Sequence, residues 1–199
     1  MGEPDARSDE SLMLAAAEGD LVAFDALLRR YERRILSYSY RLLGDYETSR
    51  DILQQTFLNI FERRAEYRAE AKFSTFLYCV AHNLCHNELR RLRRRHTTSL
   101  EAPRAGAADE DFDWRPWLVD EAGEPLEPLS QEEEERLLRE AVEQLDPMYR
   151  EVIALRMFEN LPFKDIADIT STSESTVKSR LRYALAYLAK ALRRKLQRD

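Results

Sequence analysis

The chain has 199 residues, 44% of them hydrophobic and 34% charged, with a formal net charge of −6. That length suits one domain or two small ones, and only 5 Gly and 7 Pro beside abundant Ala, Leu, Arg and Glu favour helix over sheet. No apolar run approaches the roughly 20 residues that span a bilayer, the first residues lack the apolar region of a secretory signal, and two cysteines make no disulfide framework; a soluble, cytoplasmic protein is expected.

The charge is uneven along the chain. Residues 1–95 carry 16 Lys/Arg against 15 Asp/Glu, residues 96–135 carry 2 against 13, and residues 136–199 carry 13 against 9. The acidity therefore sits in the middle, between near-neutral and basic ends, and the low overall pI does not exclude a nucleic-acid partner.

Residues 1–10 read as a polar, disordered tail. A short helix over 12–17 stops at Gly19. Asp20 then caps a longer helix carrying Phe24, Leu27, Leu28, Tyr31, Ile35 and Leu42, with Gly44 as its left-handed terminator. Asp45 caps the next, DYETSRDILQQTFLNIFERR, whose buried side is Ile52, Leu53, Phe57, Ile60 and Phe61. A polar stretch over 65–72 leads to FSTFLYCVAHNLCHNELRRLRRRH at 73–96. There Phe73, Phe76, Leu77, Val80 and Leu84 fall at i, i+3, i+4, i+7 and i+11, one stripe of a helix. The other side turns cationic through Arg90, Arg91, Arg93, Arg94 and Arg95. The same stretch holds all three histidines (His82, His86, His96) and both cysteines (Cys79, Cys85). Residues 11–96 are expected to form a four-helix domain with short connections.

Regularity is lost over 97–130, which holds four of the prolines and is expected to be an acidic, flexible linker. Trp114, Trp117, Leu118 and Val119 within it read as a docking segment. Ser130 and Glu133 form a capping-box pattern ahead of Leu137, Leu138, Val142 and Leu145. Asp146-Pro147 starts another helix, with Val152, Ile153, Leu155 and Phe158 on its apolar side. A short helix over 163–170, a polar break at 171–173 and a long helix to 196 complete a second domain over 131–199. The expected fold class is all-α: two small helical domains joined by the linker.

Within FKDIADITSTSESTVKSRLRYAL, Ile166, Ile169, Val177 and Leu181 are spaced to pack a helix-turn-helix. Lys178, Ser179, Arg180 and Arg182 point outward from the second helix. Such a helix enters a major groove with short polar residues at base edges and basic residues on phosphates. A plain helical hairpin with a solvated basic face shares the pattern.

These parts, in this order, resemble the extracytoplasmic-function (group 4) sigma factors of the sigma-70 family, specificity subunits of bacterial RNA polymerase. DILQQTF at 51–57 looks like their core-binding motif, FSTFLYCVAHNLCHNELRRLRRR like their promoter-melting helix, and LDPMYREVIALRMFENLPFKDIADITSTSESTVKSRL like their C-terminal domain. The resemblance implies that Asp51, Gln54, Gln55 and Phe57 dock the polymerase clamp. It implies that the 65–72 loop pockets a flipped base of the minus-ten element. Tyr67, Lys72, Tyr78, His82, Asn83, Arg90, Arg91, Arg93 and Arg94 would meet the melted strand, and Ser173, Ser175, Thr176, Lys178, Ser179, Arg180 and Arg182 the minus-thirty-five duplex. The implied partners are core RNA polymerase, promoter DNA and an anti-sigma factor, and the implied regulon is a stress or environmental response. No cofactor and no catalytic chemistry are implied; a free-standing helix-turn-helix regulator is the alternative.

The physics of melting agrees with those roles. A surface that binds extruded bases and single-strand phosphate offsets unstacking of a few kcal/mol per step, through aromatics such as Tyr67 and Tyr78 and through the Arg cluster. Arginines at a helix C-terminus also complement the macrodipole, a plainer reading of the cluster.

The chain departs from the family pattern at two places. Thr170-Ser171-Thr172-Ser173 stands where members usually have Leu-Gly-Ile/Val-Ser, so no glycine supplies φ > 0, and either Ser171 with Glu174 or Ser173 fits the cap. Cys79 and His82 occupy positions often taken by Arg. Cys79, His82 and His86 lie within about 60° of one another on the helix, with Cys85 at the margin. These four are candidate metal ligands, although no ligand from outside the helix is evident; the alternative makes Cys85 a small buried hydrophobe and the histidines surface groups. The acidic linker either mimics nucleic acid in the polymerase's RNA exit channel or is a solvated spacer.

Overall fold

The computed structural model describes residues 6–96 and 140–196. In order, these form α1 (Asp9–Ala17), α2 (Leu21–Leu43), α3 (Tyr46–Glu62), a 3-10 turn (Arg64–Glu66), α4 (Phe73–His96), α5 (Pro147–Ile153), a π-helical turn (Ala154–Phe158), α6 (Phe163–Thr170) and α7 (Glu174–Leu196). Residues 140–143 add a helical turn, and no strand occurs among the described residues. The linker expected over 97–130, with its docking segment, the capping box at Ser130 and the apolar pair Leu137 and Leu138 lie outside the described residues.

Helix ends in the first half follow from local chemistry. Asp20 Oδ1 accepts from the backbone N–H groups of Val22 and Ala23, both at 3.0 Å, so α2 starts there. Gly44, at φ +72°, ends it by donating to Tyr40 O. Asp45 starts α3 by accepting from Thr48 N at 2.8 Å. The first helix begins earlier than the sequence predicts: Ser8 Oγ accepts from Ser11 N, and Asp9 and Glu10 form the first turn instead of a disordered tail. Both acids reach distant partners. Asp9 pairs with Arg30 and accepts from Tyr31 OH, and Glu10 Oε1 accepts from Phe73 N at 3.0 Å, at the N-terminus of α4.

Leu12, Met13, Leu27, Ile35, Leu42, Ile60, Phe73 and Leu77 are removed from solvent almost entirely. Each such side chain stabilises the fold by about 1.5–3 kcal/mol of transfer free energy. Edge-on aromatic pairs, Tyr31 with Phe73 and Tyr38 with Tyr78, key α2 to α4.

The second half does not stand apart. Val152, Ala154, Leu155, Leu161, Ile166, Ala167, Ile169 and Val177 belong to the same continuous core as the first four helices. A smaller cluster joins Ala141, Leu145, Tyr149 and Ile153 to Ala184 and Leu188. Asp146-Pro147 does open α5, although the Asp146 side chain makes no capping bond; its carbonyl accepts from Tyr149 N and Arg150 N instead. The π turn, in which Glu159 N bonds Ala154 O five residues back, breaks the predicted apolar side. Phe158, expected to be buried, is 54% exposed, with the Arg41 guanidinium over its ring.

The turn between α6 and α7 resolves the two capping alternatives. Ser171 takes the left-handed conformation itself (φ 51°, ψ 43°) and ends α6, while Ser173 Oγ accepts from Thr176 N at 3.1 Å and starts α7. The threonines in place of apolar residues satisfy their hydroxyls locally: Thr170 Oγ1 donates to Ile166 O at 2.8 Å and lies 2.9 Å from Thr172 Oγ1.

Candidate functional surfaces

Three surfaces carry the residues singled out in the sequence. Between α2 and α3 lies an open groove of about 830 Å³, walled by Phe24, Leu28, Phe57, Leu58 and Phe61 and rimmed by Asp51, Gln54 and Gln55. The 3.6-residue period of α3 sends Ile52, Thr56 and Ile60 inward and leaves Asp51, Gln54, Gln55 and Leu58 outside. Phe57 is buried as the groove floor, edge-on to Phe24 at 6.2 Å, so it shapes this surface from beneath. Leu58 is 48% exposed in the groove wall.

The second surface is the outer side of α4. Asn83, Arg90, Arg91, Arg93 and Arg94 are exposed along it. Arg91 is held by both oxygens of Glu88 at 2.6 Å, and Arg90 donates to Asn87 Oδ1 at 2.7 Å, so part of the cluster's charge is already engaged. Tyr67 and Tyr78 do not serve as exposed stacking rings here. Tyr78 is fully buried against Tyr38, and Tyr67 is 8% exposed, packed on Phe73 and Phe76. Burial pushes both phenols above their ordinary range. Their spacing on the sequence does not distinguish a core aromatic from a stacking one. Lys72 is exposed and paired with Asp165 of α6 at 3.0 Å.

The third surface is the helix-turn-helix. Ser175 and Lys178 are exposed, and Thr176, Ser179, Arg180 and Arg182 are half-buried. Ser173 is engaged as the cap, within 2.8 Å of both Ser175 Oγ and Thr176 Oγ1. Lys178 lies 3.7 Å from Glu174 and over the Phe163 ring.

The Cys/His group of α4 is divided by the packing. Cys85 is fully buried, its thiol pushed up to about 12 by burial, and donates to Ser39 Oγ at 3.7 Å. Cys79 faces Asp168 O on α6 at 4.0 Å, and burial raises its thiol as well. His82 and His86 turn instead to Glu151 of α5. His82 Nδ1 lies 2.6 Å from Glu151 Oε1 and His86 Nε2 lies 2.9 Å from Oε2. Tyr38 OH donates to Oε1 at 2.5 Å. Burial alone would raise the Glu151 carboxyl, but the hydrogen bonds from His82 and His86 outweigh it and hold the group below the usual carboxylate range.

Glu151, which sequence reasoning did not connect with the histidines, meets both of them from outside the helix. A signal existed: Glu151 sits with Val152 and Leu155 at i, i+1 and i+4, on the buried stripe, where a carboxylate requires a partner. Other polar ties cross the same seam. Arg34 Nε reaches Glu159 Oε2 at 2.7 Å, and Arg150 donates to the carbonyls of Arg41 and Leu42. Through these contacts α5 and α6 cover the face of α4 that holds Cys79 and His82.

Comparison with known proteins places these surfaces in context. Residues 27–95 match the Sigma-70 region 2 model and residues 135–188 match the Sigma-70, region 4 model, together more than half of the chain. The RNA polymerase sigma-H factor of Pseudomonas aeruginosa is 29% identical over 184 residues, covering 92% of this chain and 93% of that protein. The ECF RNA polymerase sigma factor SigW of Bacillus subtilis is 28% identical over 176 residues, 88% of this chain and 92% of its own. Among solved structures, the sigma factor RpoE bound to the anti-sigma factor NepR of Bartonella quintana superposes with a TM-score of 0.63 at 17% identity, covering 85% of this chain and 96% of that one. CnrH, in complex with the cytosolic domain of CnrY, gives 0.65 at 18% identity, with 94% and 99% covered. These two show a shared fold.

Proposed function

The chain belongs to the sigma-70 family, in its extracytoplasmic-function branch, and we propose that it directs bacterial RNA polymerase to promoters and opens them. The observation that carries this reading is the α2–α3 groove. It combines an apolar wall of exposed Leu58 and half-buried Phe61 with a polar rim of Asp51, Gln54 and Gln55, a surface that fits a protein helix and that a regulator acting on DNA alone does not need.

In this reading the groove docks the polymerase clamp. The 65–72 loop takes the flipped minus-ten base, the exposed arginines of α4 hold the separated strand, and Ser175, Lys178, Ser179 and Arg182 of α7 address the minus-thirty-five duplex. No proton transfer is required, since melting is driven by preferential binding of the open strand. The seam adds a condition. His82 lies under α5 and α6, so strand capture along the whole outer side of α4 follows separation of the two halves. An anti-sigma protein that holds the halves in a fixed relation would act on the same step; both structural neighbours are bound to partner proteins. The site of action is the cytoplasm, and among the described residues no helix is long and apolar enough to cross a membrane.

The test is run-off transcription on genomic fragments with core polymerase. Wild-type protein gives discrete starts. Leu58→Arg, which places a charge in the groove wall without touching the core, lowers transcript about tenfold or more. Folded wild-type protein that directs no initiation with active core overturns the proposal.

A further inference from the structure

Among the described residues, one group of donor side chains converges from two elements that are distant in the chain. His82 and His86 stand one helical turn apart on α4, their ring centroids 4.2 Å apart, and Glu151 approaches them from α5. The donor atoms of the three all lie within 4.8 Å of one another. We propose that His82 Nδ1, His86 Nε2 and the Glu151 carboxylate bind a divalent transition-metal ion of the zinc class, which clasps α4 to α5.

The donor set favours that chemistry. Two imidazoles at i and i+4 point from one helix face, and a carboxylate completes a borderline nitrogen–oxygen set that suits zinc or cobalt over calcium or magnesium. Zinc bonds of about 2.0–2.2 Å in a tetrahedron set ligand atoms about 3.3 Å apart. The present separations of 2.6 and 2.9 Å therefore widen by a few tenths of an ångström as the ion enters. Rotation of the His86 imidazole, which keeps 31% of its side chain in solvent, accommodates its share of this, while His82 and Glu151, at 13% and 2%, move with their helices. The Glu151 side chain is 2% exposed and is steadied by Tyr38 OH, the kind of outer hydrogen bond that orients ligating carboxylates.

The site also has an approach and a place for a fourth ligand. A cavity of about 280 Å³ opens beside the three donors, walled in part by Thr170, Thr172 and Arg180. Arg90 and Arg93 line it as well. This basic wall favours an anion, hydroxide or chloride, over neutral water in the fourth position. The sulfurs of α4 stand outside the set, Cys85 facing Ser39 and Cys79 facing Asp168 O.

The experiment is a Co(II) titration of the full chain, prepared without a polyhistidine tag and stripped with chelator. An equimolar visible d–d spectrum with no sulfur-to-cobalt charge-transfer band, displaced by Zn(II), is expected. His82→Gln, His86→Gln and Glu151→Gln each weaken binding by at least about tenfold, and Cys85→Ala leaves it unchanged. His86→Gln decides the matter if the more buried variants fold poorly, because His86 is the most exposed of the three. Absence of Co(II) binding by folded wild-type protein, a thiolate charge-transfer band, or undiminished affinity in His86→Gln overturns the proposal. None of these readouts involves polymerase, so their failure is distinct from failure of the transcription assay.

Discussion

The inside of the first four helices and the seam between the two halves of the molecule are built on different principles. The inside is apolar and aromatic, with Leu12, Leu27, Ile35, Phe73 and Leu77 at or near zero exposure. The seam has an apolar floor but is keyed by ions and polar groups: Glu151 with His82, His86 and Tyr38, Arg34 with Glu159, Lys72 with Asp165. Apolar burial is non-directional and holds whenever water is excluded. Buried ions hold only while each partner is in place, and a charge left alone is costly. A seam made this way is closed in one arrangement and expensive to leave half-closed, which suits the proposed function, in which the two halves part as a unit.

The contrast can be broken from either side. Leu77→Ala should have the largest effect, lowering the stability of the first half by about 2–5 kcal/mol in urea unfolding. A loss below 1 kcal/mol would mean that the site collapses around the cavity and is less rigid than its burial implies. Glu151→Ala should come next, at about 1–3 kcal/mol, because it strips a fully buried hydroxyl and two imidazoles of their shared acceptor. Hydrogen exchange is the sharper readout there: amides of α5 and α6 should exchange faster while those of α2 and α3 do not. Equal acceleration everywhere would show that core and seam are one cooperative unit.

Ser171→Gly should stabilise, by about 0.5–1 kcal/mol, since it relieves a left-handed backbone position of its Cβ; a raised melting temperature checks this. Lys72→Ala should be smallest, within about 0.5 kcal/mol, because the lysine of that pair is largely solvated. Any measurable loss should disappear at high salt.

The sequence was most informative where structure is decided locally. Asp20, Gly44 and Asp45 set helix ends through bonds to residues at most four positions away, and the stripe of α4 follows from its period. The same reasoning left Ser171 and Ser173 as equal candidates, because the choice depends on which residue the packing of α6 forces into the left-handed region. It expected Phe158 inside, and the π turn, a shift of one residue in hydrogen-bond register, puts it outside. It read Tyr67 and Tyr78 as stacking rings because a residue type does not reveal which neighbours cover it. At the candidate site, the two histidines were legible from their i, i+4 spacing. Glu151 was not paired with them, since it lies 65 and 69 positions further along the chain and the contact exists only after the halves pack.

The bond from Glu10 to the first amide of α4 has its own consequence for the proposed base pocket. The 65–72 loop begins within the 3-10 turn and ends at Phe73, whose amide donates to a carboxylate of α1. The first turn of α1 therefore fixes the downstream end of the loop, much as a nock fixes a bowstring. Removing residues 1–10, which in sequence look dispensable, would slacken the loop without disturbing a single residue within it.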